Sequence, residues 1–467
     1  MNTPDRSPQQ SPLQVDAVVV GAGFAGLKAA HDLVNNGHSV VVLEGRDRVG
    51  GRVFTGEVAG VKVDLGGTWV SHRHTAIREI AEQVGCTTVP QFAEGRSTVW
   101  LAGKRRTYKG TIPRLSPAAL VNMARIQLAL DKLAKTIDVD APWDSPRAEE
   151  LDAISLEEWL DHKRARSTTR ALMTVVTKVE WGCQPSDVSL FHVLRTIRAF
   201  GGFDFMLDAE GGMQEARYVE TTQEIAVRYA ALLGDRVRTG APVRRITQEA
   251  DGVTVETDAL QVNARYAIVT TATEHRGGIE FEPALPENAQ GLINSWGLGA
   301  LSKAFVAYDQ PFWRADGLSG EALTDTGTVF ITFDVSPSPD GPGILMAFCD
   351  PRVFDAHHPE TRKAQVVKQL TDLYGPAAAR PIDYIDHCWN TDSFAPGGPN
   401  PAVAPYASTR YGSVMTKPHG RVEWAGSETA GEWTGSMNGA VLSGQRAAEA
   451  VVGLLATESH TRKKAYS

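Results

Sequence analysis

The sequence is poor in cysteine, and none of its cysteines has the spacing of a metal site or a redox pair. Only four occur among 467 residues. No two of them form a CxxC pair, so we expect no metal centre. The pattern is typical of reduced structural thiols in a cytoplasmic protein. The four cysteines are Cys86, Cys183, Cys349 and Cys388.

The sequence also lacks an excess of positive charge and a long apolar run. Its 47 Lys and Arg residues against 55 Asp and Glu residues give a net charge of −8, which argues against a general nucleic-acid or anionic-membrane binder. No run of about 18 apolar residues occurs, so we expect a soluble chain. Residues 1–14 are polar and contain three prolines, which predicts a disordered lead-in rather than a secretory signal. Residues 454–467 predict a polar tail.

Two further absences remove whole classes of chemistry. The sequence contains neither a nucleophile elbow followed by Asp and His nor a phosphate-binding Walker loop. Acyl transfer and phosphoryl transfer are therefore excluded as functions. His72 and His74 have no acid or cysteine at ligand spacing, so we expect loop or surface groups there.

Residues 17–26 contain the most specific pattern in the chain. The apolar residues 17–20 run directly into Gly21, Gly23 and Gly26, the GxGxxG arrangement that opens a helix. Gly21 permits the tight turn, Gly23 lets the backbone approach a pyrophosphate, and Gly26 lets the helix pack close to the strand. The pyrophosphate would lie at the helix N-terminus near Ala25, where unpaired N–H groups favour an anion.

A second strand and its terminal acid complete this unit. Residues 39–43 predict a strand that delivers Glu44 to the position where a carboxylate accepts from ribose hydroxyls. An acid there argues against the 2′-phosphate of NADP. Strand, glycines, helix, second strand and acid occur in order, so the sequence predicts a site for an adenine dinucleotide.

Motifs at both ends of the chain resemble those of a known family. The sequence GRDRVGGR, residues 45–52, is followed by DLGGTW at residues 64–69. Near the other end, GSET spans residues 426–429 and WTGSMNGAVLSG spans residues 433–444. Together these motifs resemble the signature of the flavin-containing monoamine oxidases, and the resemblance extends from residue 15 to residue 453.

The resemblance implies an FAD site built from both ends of the chain. The loop after Glu44 would bind phosphate, the backbone near Glu428 and Thr429 would face the ribityl chain, and the backbone of Val243 would meet the adenine. The helix beginning near Met437 would point its N-terminus at the flavin pyrimidine ring, where negative charge develops on reduction. The full set of predicted FAD-binding residues is Gly21, Gly23, Ala25, Gly26, Glu44, Gly45, Arg46, Gly50, Gly51, Arg52, Gly66, Gly67, Thr68, Trp69, Val243, Trp389, Gly426, Glu428, Thr429 and Met437.

Lys303 is the residue that we single out for chemistry. Alternation along the strand places it on one face with Leu301, Phe305 and Ala307, which predicts a buried lysine. The local sequence leaves open the alternative of an edge-strand lysine that reaches water. The resemblance implies that Lys303 holds a water near flavin N5 and assists reoxidation by dioxygen, since a cation stabilises charge developing on oxygen.

Two features of the family are missing. Counting without gaps from Trp389, the cysteine that binds the flavin covalently in some members falls on Gly398, so we expect non-covalent FAD. Cys388 lies ten residues earlier, up to about 33 Å along an extended chain, and does not easily substitute. The two tyrosines that flank the substrate amine fall on Pro399 and Ser436, so the aromatic cage is absent.

Four other residues are candidates for the wall of the substrate pocket. Gln214 matches a family position that lines the cavity, with a surface turn as the alternative. The aromatic candidates could equally belong to the core. These are Trp433, Phe394 and Trp181.

The two distant halves of the site require a discontinuous α/β fold. We predict a Rossmann-type FAD-binding domain with a second α+β substrate domain, the two-domain fold of the amine oxidases. The predicted segments are residues 15–89, 214–281 and 382–453 for the FAD-binding domain and residues 90–213 and 282–381 for the substrate domain.

Two local patterns support this division. A capping box formed by Ser155 and Glu158 predicts a helix in the first substrate segment. The middle FAD-binding segment contains patterns of further strands in the same sheet. These strands are predicted at residues 237–238, 243–246, 252–257 and 266–270.

The sequence thus predicts an FAD-dependent amine oxidase. A neutral amine would lose hydride from its α-carbon, water would hydrolyse the imine to an aldehyde or ketone, and dioxygen would be reduced to hydrogen peroxide. Three alternatives stay open: a flavin dehydrogenase that uses a protein or quinone acceptor, an amino-acid or polyamine oxidase or desaturase of the same fold, and a non-catalytic flavoprotein. The expected partners are a small-molecule amine and dioxygen, without nucleic acid or membrane, and a homodimer is left open.

Overall fold

The computed structural model describes residues 12–465 apart from 102, 111–115, 298 and 399, and side chains up to residue 459. Its first layer is an eight-stranded sheet that contains the Val-rich strand Leu13–Val20. Residues 17–19 of this strand have no exposure to solvent. Burial on both faces is the reason why the strand is continuously apolar rather than alternating.

Five strands of the first sheet run parallel. Their order brings the carboxyl ends of the strands to one edge, where ligands bind in open α/β sheets. In order across the sheet they are Val237–Arg238, Val40–Leu43, Leu13–Val20, Gln261–Val269 and Val422–Trp424. Three more strands extend the sheet from the first half of Gln261–Val269, namely Val253–Thr257, Val243–Gln248 and Glu280–Glu282.

Helices cover one face of this sheet, and the three-stranded extension covers the other. Val19 and its neighbours pack against a helical layer. Val18 and Val41, which point the opposite way, pack against Val253 and Val255 of the extension. The helices of the layer are Phe24–Asn35, Thr75–Gln83, Thr222–Ala231 and Met437–Ala465.

The second layer is a seven-stranded sheet. One face packs on helix Pro359–Tyr374 through Val366 and Leu370. The other face carries Phe305 and Ala307 in a separate cluster, so both faces of the sheet are buried. In order across the sheet its strands are Asp383–Cys388, Ser302–Tyr308, Gly343–Cys349, Val329–Asp334, Leu318–Thr324, Arg96–Leu101 and Lys104–Tyr108.

A group of helices packs beside the second sheet. The predicted capping box is confirmed at the start of Leu156–His162. The Ser155 hydroxyl accepts from the Glu158 N–H, and the Glu158 carboxylate accepts from the Ser155 N–H. The helices of this group are Pro117–Ala134, Ala148–Asp152, Leu156–His162, Ser167–Trp181, Leu190–Ala199 and Phe203–Leu207.

Shorter elements connect these layers. Within the described residues, no helix has the length and apolar character needed to cross a membrane. The remaining helices are Glu287–Ser295, Phe312–Ala315, Pro351–Phe354 and Ala407–Tyr411. The small sheets pair Thr55–Val58 with Val61–Asp64, and Ala216–Tyr218 with both Trp69–Val70 and Thr88–Pro90.

One segment that the sequence assigns to the FAD-binding domain contributes a strand to the second sheet. The sequence interpretation assigns residues 382–453 to the first unit, but strand Asp383–Cys388 pairs antiparallel with Ser302–Tyr308 of the second sheet. It is a partly exposed edge strand, and its partner is set by long-range packing that local sequence does not encode. The strands predicted between residues 237 and 270 all lie in the first sheet.

Gly444 sets how closely helix Met437–Ala465 approaches helix Phe24–Asn35. A Cβ at Gly444 would lie 2.1 Å from the carbonyl oxygen of Ala25, whereas a Cβ at Gly453 of the same helix would meet no described atom within 4 Å. We expect Gly444→Ala to lower the free energy of unfolding by about 1–3 kcal/mol through overpacking. Gly453→Ala should raise it by up to about 1 kcal/mol. Thermal unfolding measures both, and equal effects would contradict this packing account.

Candidate functional site

The glycine-rich turn brings a helix N-terminus to the carboxyl edge of the parallel sheet. Gly21 has a φ of +102°, and its N–H donates to the Leu43 carbonyl at 2.8 Å. A Cβ at Gly26 would lie 1.9 Å from the Gly21 carbonyl oxygen, so only glycine permits this packing. Helix Phe24–Asn35 begins after Gly23, and no described side chain caps its first turn. Its N–H groups are therefore available to an anion.

Glu44 follows strand Val40–Leu43, and backbone groups hold its carboxylate. One oxygen accepts from the N–H of Ala22 at 2.8 Å and the other from the N–H of Arg46 at 2.9 Å. The Arg46 guanidinium pairs with Asp392. One carboxylate thus fixes the glycine turn to the next loop, and its remaining lone pairs can accept from a ligand hydroxyl.

Gly50 and Gly51 bring that second loop against the first. They have φ values of +111° and +61°, and the N–H of Gly50 donates to the Ala22 carbonyl at 2.8 Å. Arg48 holds the loop by donating to the carbonyl oxygens of Gly51 and Val53 at 3.2 and 3.0 Å. The two loops therefore form one backbone-lined wall.

These elements line a groove of about 430 Å³. Ligand pockets commonly measure about 300–1,000 Å³, so the groove is large enough for a bound molecule. The predicted FAD-binding residues on its wall are Gly21, Gly23, Ala25, Glu44, Gly45, Arg46, Gly50, Gly51, Arg52, Gly67, Val243, Gly426 and Met437.

Three predicted FAD-binding residues lie behind the wall. Gly26 packs the helix, Glu428 pairs with Arg52 at 2.7 Å, and the Thr429 hydroxyl donates to the Gly426 carbonyl at 2.8 Å. Burial by itself would raise the pKa of Glu428, but Arg52, a backbone hydrogen bond and Arg276 together outweigh burial and hold that pKa below its ordinary value. Glu428 and Thr429 thus support the turn that carries Gly426. Gly426, rather than either of these two residues, lines the groove.

A second cavity of about 200 Å³ meets the end of the groove. The hydroxyl of Ser436 accepts from the N–H of Gly439 at 3.1 Å and caps helix Met437–Ala465. The positive end of that helix dipole therefore lies where the two cavities meet. The residues shared by both walls are Arg52, Gly67, Gly435, Ser436 and Met437.

Lys303 is buried on the wall of the second cavity. Its Nζ donates to the Gly66 carbonyl at 2.5 Å, to the Thr68 hydroxyl at 2.7 Å and to the Asp64 carbonyl at 3.3 Å. Each hydrogen of the ammonium group has an acceptor, and the bond to Asp64 is the longest. A water or oxygen molecule at Nζ would therefore replace that bond first.

The surroundings of Lys303 weaken its hold on a proton. Burial lowers the pKa of the ammonium group, and the nearby Asp64 carboxylate partly offsets this effect. Burial raises the pKa of Asp64, against hydrogen bonds from the N–H and hydroxyl of Thr222. The ring centroids of Trp69 and Phe348 lie 5.7 and 5.2 Å from Nζ, close enough for cation–π attraction to favour the charged form.

The aromatic wall of the second cavity differs from the one suggested by sequence. Trp181 is fully buried, and both it and Trp433 belong to the core of the helical group. Phe394 lines the groove instead. For Trp181 and Trp433 the structure thus favours the core position that the sequence left open. The rings that line it are Trp69, Phe200, Phe348 and Trp389.

The other predicted pocket positions are divided between the cavity and the undescribed part of the chain. Gln214 lines the second cavity, and its Nε2 donates to the Met206 carbonyl at 3.2 Å. Gly398 lines it as well, and Ser436 is on the shared wall. Pro399 lies outside the described residues. The remaining predicted FAD-binding residues, Gly66, Thr68, Trp69 and Trp389, line this cavity rather than the groove.

His74, for which a loop or surface position was expected, lies just before helix Thr75–Gln83 and is buried on the second cavity with an exposure of 2%. Its Nδ1 accepts from the N–H of Ser71 at 3.1 Å, which leaves the ring proton on Nε2. Burial lowers the pKa of His74 to about 4, so the ring is neutral. The residues around His74 form no motif that would predict this burial.

Glu180 and Asn400 also line the cavity and were missed from sequence. Glu180 follows Met173 by seven residues and Val176 by four on helix Ser167–Trp181, and all three are buried. This spacing places a carboxyl on the apolar face of the helix. An acid at an apolar helical position was the signal that could have identified it.

Comparisons with known proteins agree with this architecture. The sequence profile of the family described as flavin containing amine oxidoreductase matches residues 24–452. A Mycobacterium tuberculosis protein described as "Putative flavin-containing monoamine oxidase AofH" is 49% identical over 450 residues, covering 96% of this chain and 99% of that protein. A rainbow trout (Oncorhynchus mykiss) flavin-containing amine oxidase is 33% identical over 449 residues, with coverage of 94% and 85%.

Solved structures give the same result for the fold. A double mutant of putrescine oxidase has a TM-score of 0.91 and 30% identity, covering 95% of this chain and 100% of that one. Cyclohexylamine oxidase from Brevibacterium oxydans has a TM-score of 0.89 and 30% identity, covering 94% and 99%. The two-domain amine oxidase fold predicted from sequence is therefore confirmed. This chain belongs to the family of flavin-containing amine oxidoreductases.

Proposed function

We propose that the chain catalyses the FAD-dependent oxidation of an amine to an imine, with reduction of dioxygen to hydrogen peroxide. The amine loses a hydride from its α-carbon and a proton from its nitrogen, and both hydrogens end in the peroxide. Water then hydrolyses the imine to an aldehyde or ketone and releases ammonia or a smaller amine. The observation that carries this proposal is the shared wall between the polar groove and the apolar cavity.

The groove offers the chemical groups that FAD needs. The uncapped N-terminus of helix Phe24–Asn35 suits a pyrophosphate, and the Glu44 carboxylate suits a ribose. Val243 is the candidate contact for the adenine. The N-terminus of helix Met437–Ala465 suits the electron-rich edge of a flavin ring. When bound, the flavin accepts the hydride and passes two electrons to dioxygen.

We propose that FAD binds without a covalent bond. Gly398, at the position of the linking cysteine, has no side chain with which to form one. Cys388 is not among the described residues that line either cavity. Burial also raises the pKa of the Cys388 thiol to about 12, so little of the reactive thiolate is present near neutral pH.

The second cavity suits the carbon skeleton of a small amine. Its aromatic rings exclude water and favour the neutral amine, the form that can lose hydride. Two of the structural relatives are named for putrescine, a linear diamine, and for cyclohexylamine, a cyclic monoamine. We therefore propose a small primary amine as the substrate class. The test below includes linear diamines and cyclic monoamines.

Anaerobic reduction of the purified protein tests this proposal. We expect the flavin absorbance band to bleach with at least one member of a panel of primary, secondary and cyclic amines. Admitting air should restore the colour rapidly and release hydrogen peroxide. If the flavin colour recovers only over minutes, the electron acceptor is a molecule other than dioxygen. If no amine bleaches the flavin, amine oxidation is contradicted.

Lys303→Met tests the role that we propose for the buried cation in reoxidation. We expect reoxidation of the reduced flavin by dioxygen to slow by about 10²-fold or more, since a group that stabilises charge on oxygen is lost. Anaerobic reduction by the amine should change little. Stopped-flow spectroscopy separates the two half-reactions, with Lys368→Met as a control at a site whose side chain is 78% exposed. Equal slowing of both half-reactions would contradict this role.

A further inference from the structure

Glu180 is an unpartnered carboxyl on the wall of the apolar cavity. The residue is 7% exposed and lies one position before the end of helix Ser167–Trp181. Neither of its carboxyl oxygens has a hydrogen-bond or ion-pair partner in the part of the chain that the structure describes. Buried carboxyls normally have partners because desolvation is costly. One left without a partner at a cavity wall points to a ligand.

The cations on the cavity wall and on the same helix as Glu180 have other partners. On the cavity wall, Arg52 pairs with Glu428, and Lys303 donates to three protein oxygens. On the same helix as Glu180, Lys178 pairs with Asp350 at 3.0 Å. None of these groups neutralises the Glu180 carboxyl.

The neighbouring elements supply no further positive charge to it. On helix Leu190–Ala199, Arg195 donates to the backbone carbonyl of Glu428 at 3.2 Å. Burial lowers the pKa of His74 to about 4 and that of His192 to about 3, so both rings are neutral. Among the described residues no cation pairs with Glu180, so we assign the positive charge beside it to a ligand.

Two amide oxygens on the same cavity wall also lack a described donor. Asn400 donates its Nδ2 to the Glu180 backbone carbonyl at 2.9 Å, and its Oδ1 has no partner among the described residues. Gln214 donates to the Met206 carbonyl, and its Oε1 is likewise unpartnered there. A carbonyl can accept only from the amide nitrogen, so the orientation of both amides is fixed. Because protein atoms cover both amide oxygens, the Glu180 carboxyl is the acceptor that we assign to a ligand rich in N–H donors.

Asn400 also locates this polar corner relative to the groove. A Cβ placed on Gly435 would lie 1.5 Å from Asn400 Oδ1, so the amide oxygen lies against the shared wall. Ser436, the next residue, stands where an aromatic ring of the family cage would be. Asn400, which holds the Glu180 backbone, is therefore near the position from which the cage is missing.

We propose that Glu180, whose backbone carbonyl is held by Asn400, forms a subsite for an alkylammonium group of the substrate. The carboxylate balances the positive charge and accepts an N–H of the ligand. The ammonium group is either the one that is oxidised or a second one on the same molecule. This inference rests on the proposed amine-oxidising function and supplies the cation recognition that the missing cage would have provided.

Burial gives Glu180 the proton affinity that this role needs. It raises the pKa of the carboxyl to about 8, so the cavity without substrate holds a neutral acid at neutral pH. An ammonium group binds when the Glu180 carboxyl is ionised. One proton of the ammonium group can then pass to the carboxylate. The N–H bond breaks, the O–H bond forms, and the products are a neutral amine and a neutral carboxyl. The neutral amine is the form that loses hydride.

Benzamidine is a probe of this subsite that does not depend on turnover. It stays cationic through this pH range and has no α-hydrogen to lose, and its binding to the FAD-loaded protein can be followed by the flavin spectrum. We expect its affinity for the wild type to rise with pH up to about 8 and then level off, because the Glu180 carboxyl must lose its proton. Glu180→Gln should weaken binding by about tenfold or more above that pH and remove the rise near pH 8. Any rise that stays in the variant would then come from Lys303, whose pKa burial lowers to about 7.

A matched control is Glu321→Gln. Glu321 is a carboxyl of the second sheet whose pKa is also raised by burial, and it is not among the residues that line the two cavities. Its variant should bind benzamidine as the wild type does. Equal benzamidine affinity in wild type and Glu180→Gln would overturn the subsite.

Butylamine and butane-1,4-diamine distinguish the two sources of the ammonium group. If Glu180 holds the reacting amine, Glu180→Gln should raise KM for both compounds by a similar factor. If it holds a second ammonium group, KM should rise for the diamine alone. Unchanged KM for both would overturn the subsite while leaving the proposed function intact, because the wild type still reports whether amines reduce the flavin.

Glu180→Met gives a readout that a merely structural role would not produce. We expect the variant to unfold at a higher temperature than the wild type, because it removes an unpartnered buried carboxyl, while it loses benzamidine affinity. The stability gain should grow as pH rises from about 4.5 to about 8, since over that interval the unfolded chain releases a proton that the folded chain retains. A less stable variant at every pH would assign Glu180 to structure instead.

Discussion

The ion pair between Arg52 and Glu428 connects the two ends of the chain where the groove and the cavity meet. It is 2.7 Å long, and the Glu428 side chain is almost fully buried. Arg52 also donates to the Ser427 hydroxyl at 2.8 Å, so one guanidinium binds two consecutive residues of the turn before helix Met437–Ala465. Removing one partner of such a buried pair leaves an uncompensated charge that costs about 3–5 kcal/mol. The geometry of both cavities therefore depends on this contact.

The two sheets contribute different chemistry to that meeting point. The parallel sheet supplies backbone N–H groups and Glu44 at its carboxyl edge, a polar surface suited to a dinucleotide. The second sheet supplies Lys303 and apolar rings such as Phe348, a surface that excludes water. A charged group in this second environment is either held by several protein oxygens, as Lys303 is, or left for a ligand, as we infer for Glu180.

Local patterns predicted what depends on local geometry. The turn at Gly21 and the shared face of Lys303, Phe305 and Ala307 follow from residue spacing, and the structure contains both. The pairing of strand Asp383–Cys388 and the core position of Trp181 depend on segments far away in sequence, so residue spacing could not decide either. Glu180 belongs to no motif, and only the assembled cavity shows that it lacks a partner. The roles assigned to the FAD-binding residues stay predictions.

A crystal structure of the protein as purified is the measurement that tests the central account most directly. The account predicts continuous density for FAD from Val243 along the groove, with its flavin ring at the wall shared by Ser436 and Met437 and facing the cavity of Lys303. It also predicts no bond between the flavin and Gly398 or Cys388. A different nucleotide in the groove, or a flavin ring outside the meeting point of the two cavities, would contradict it.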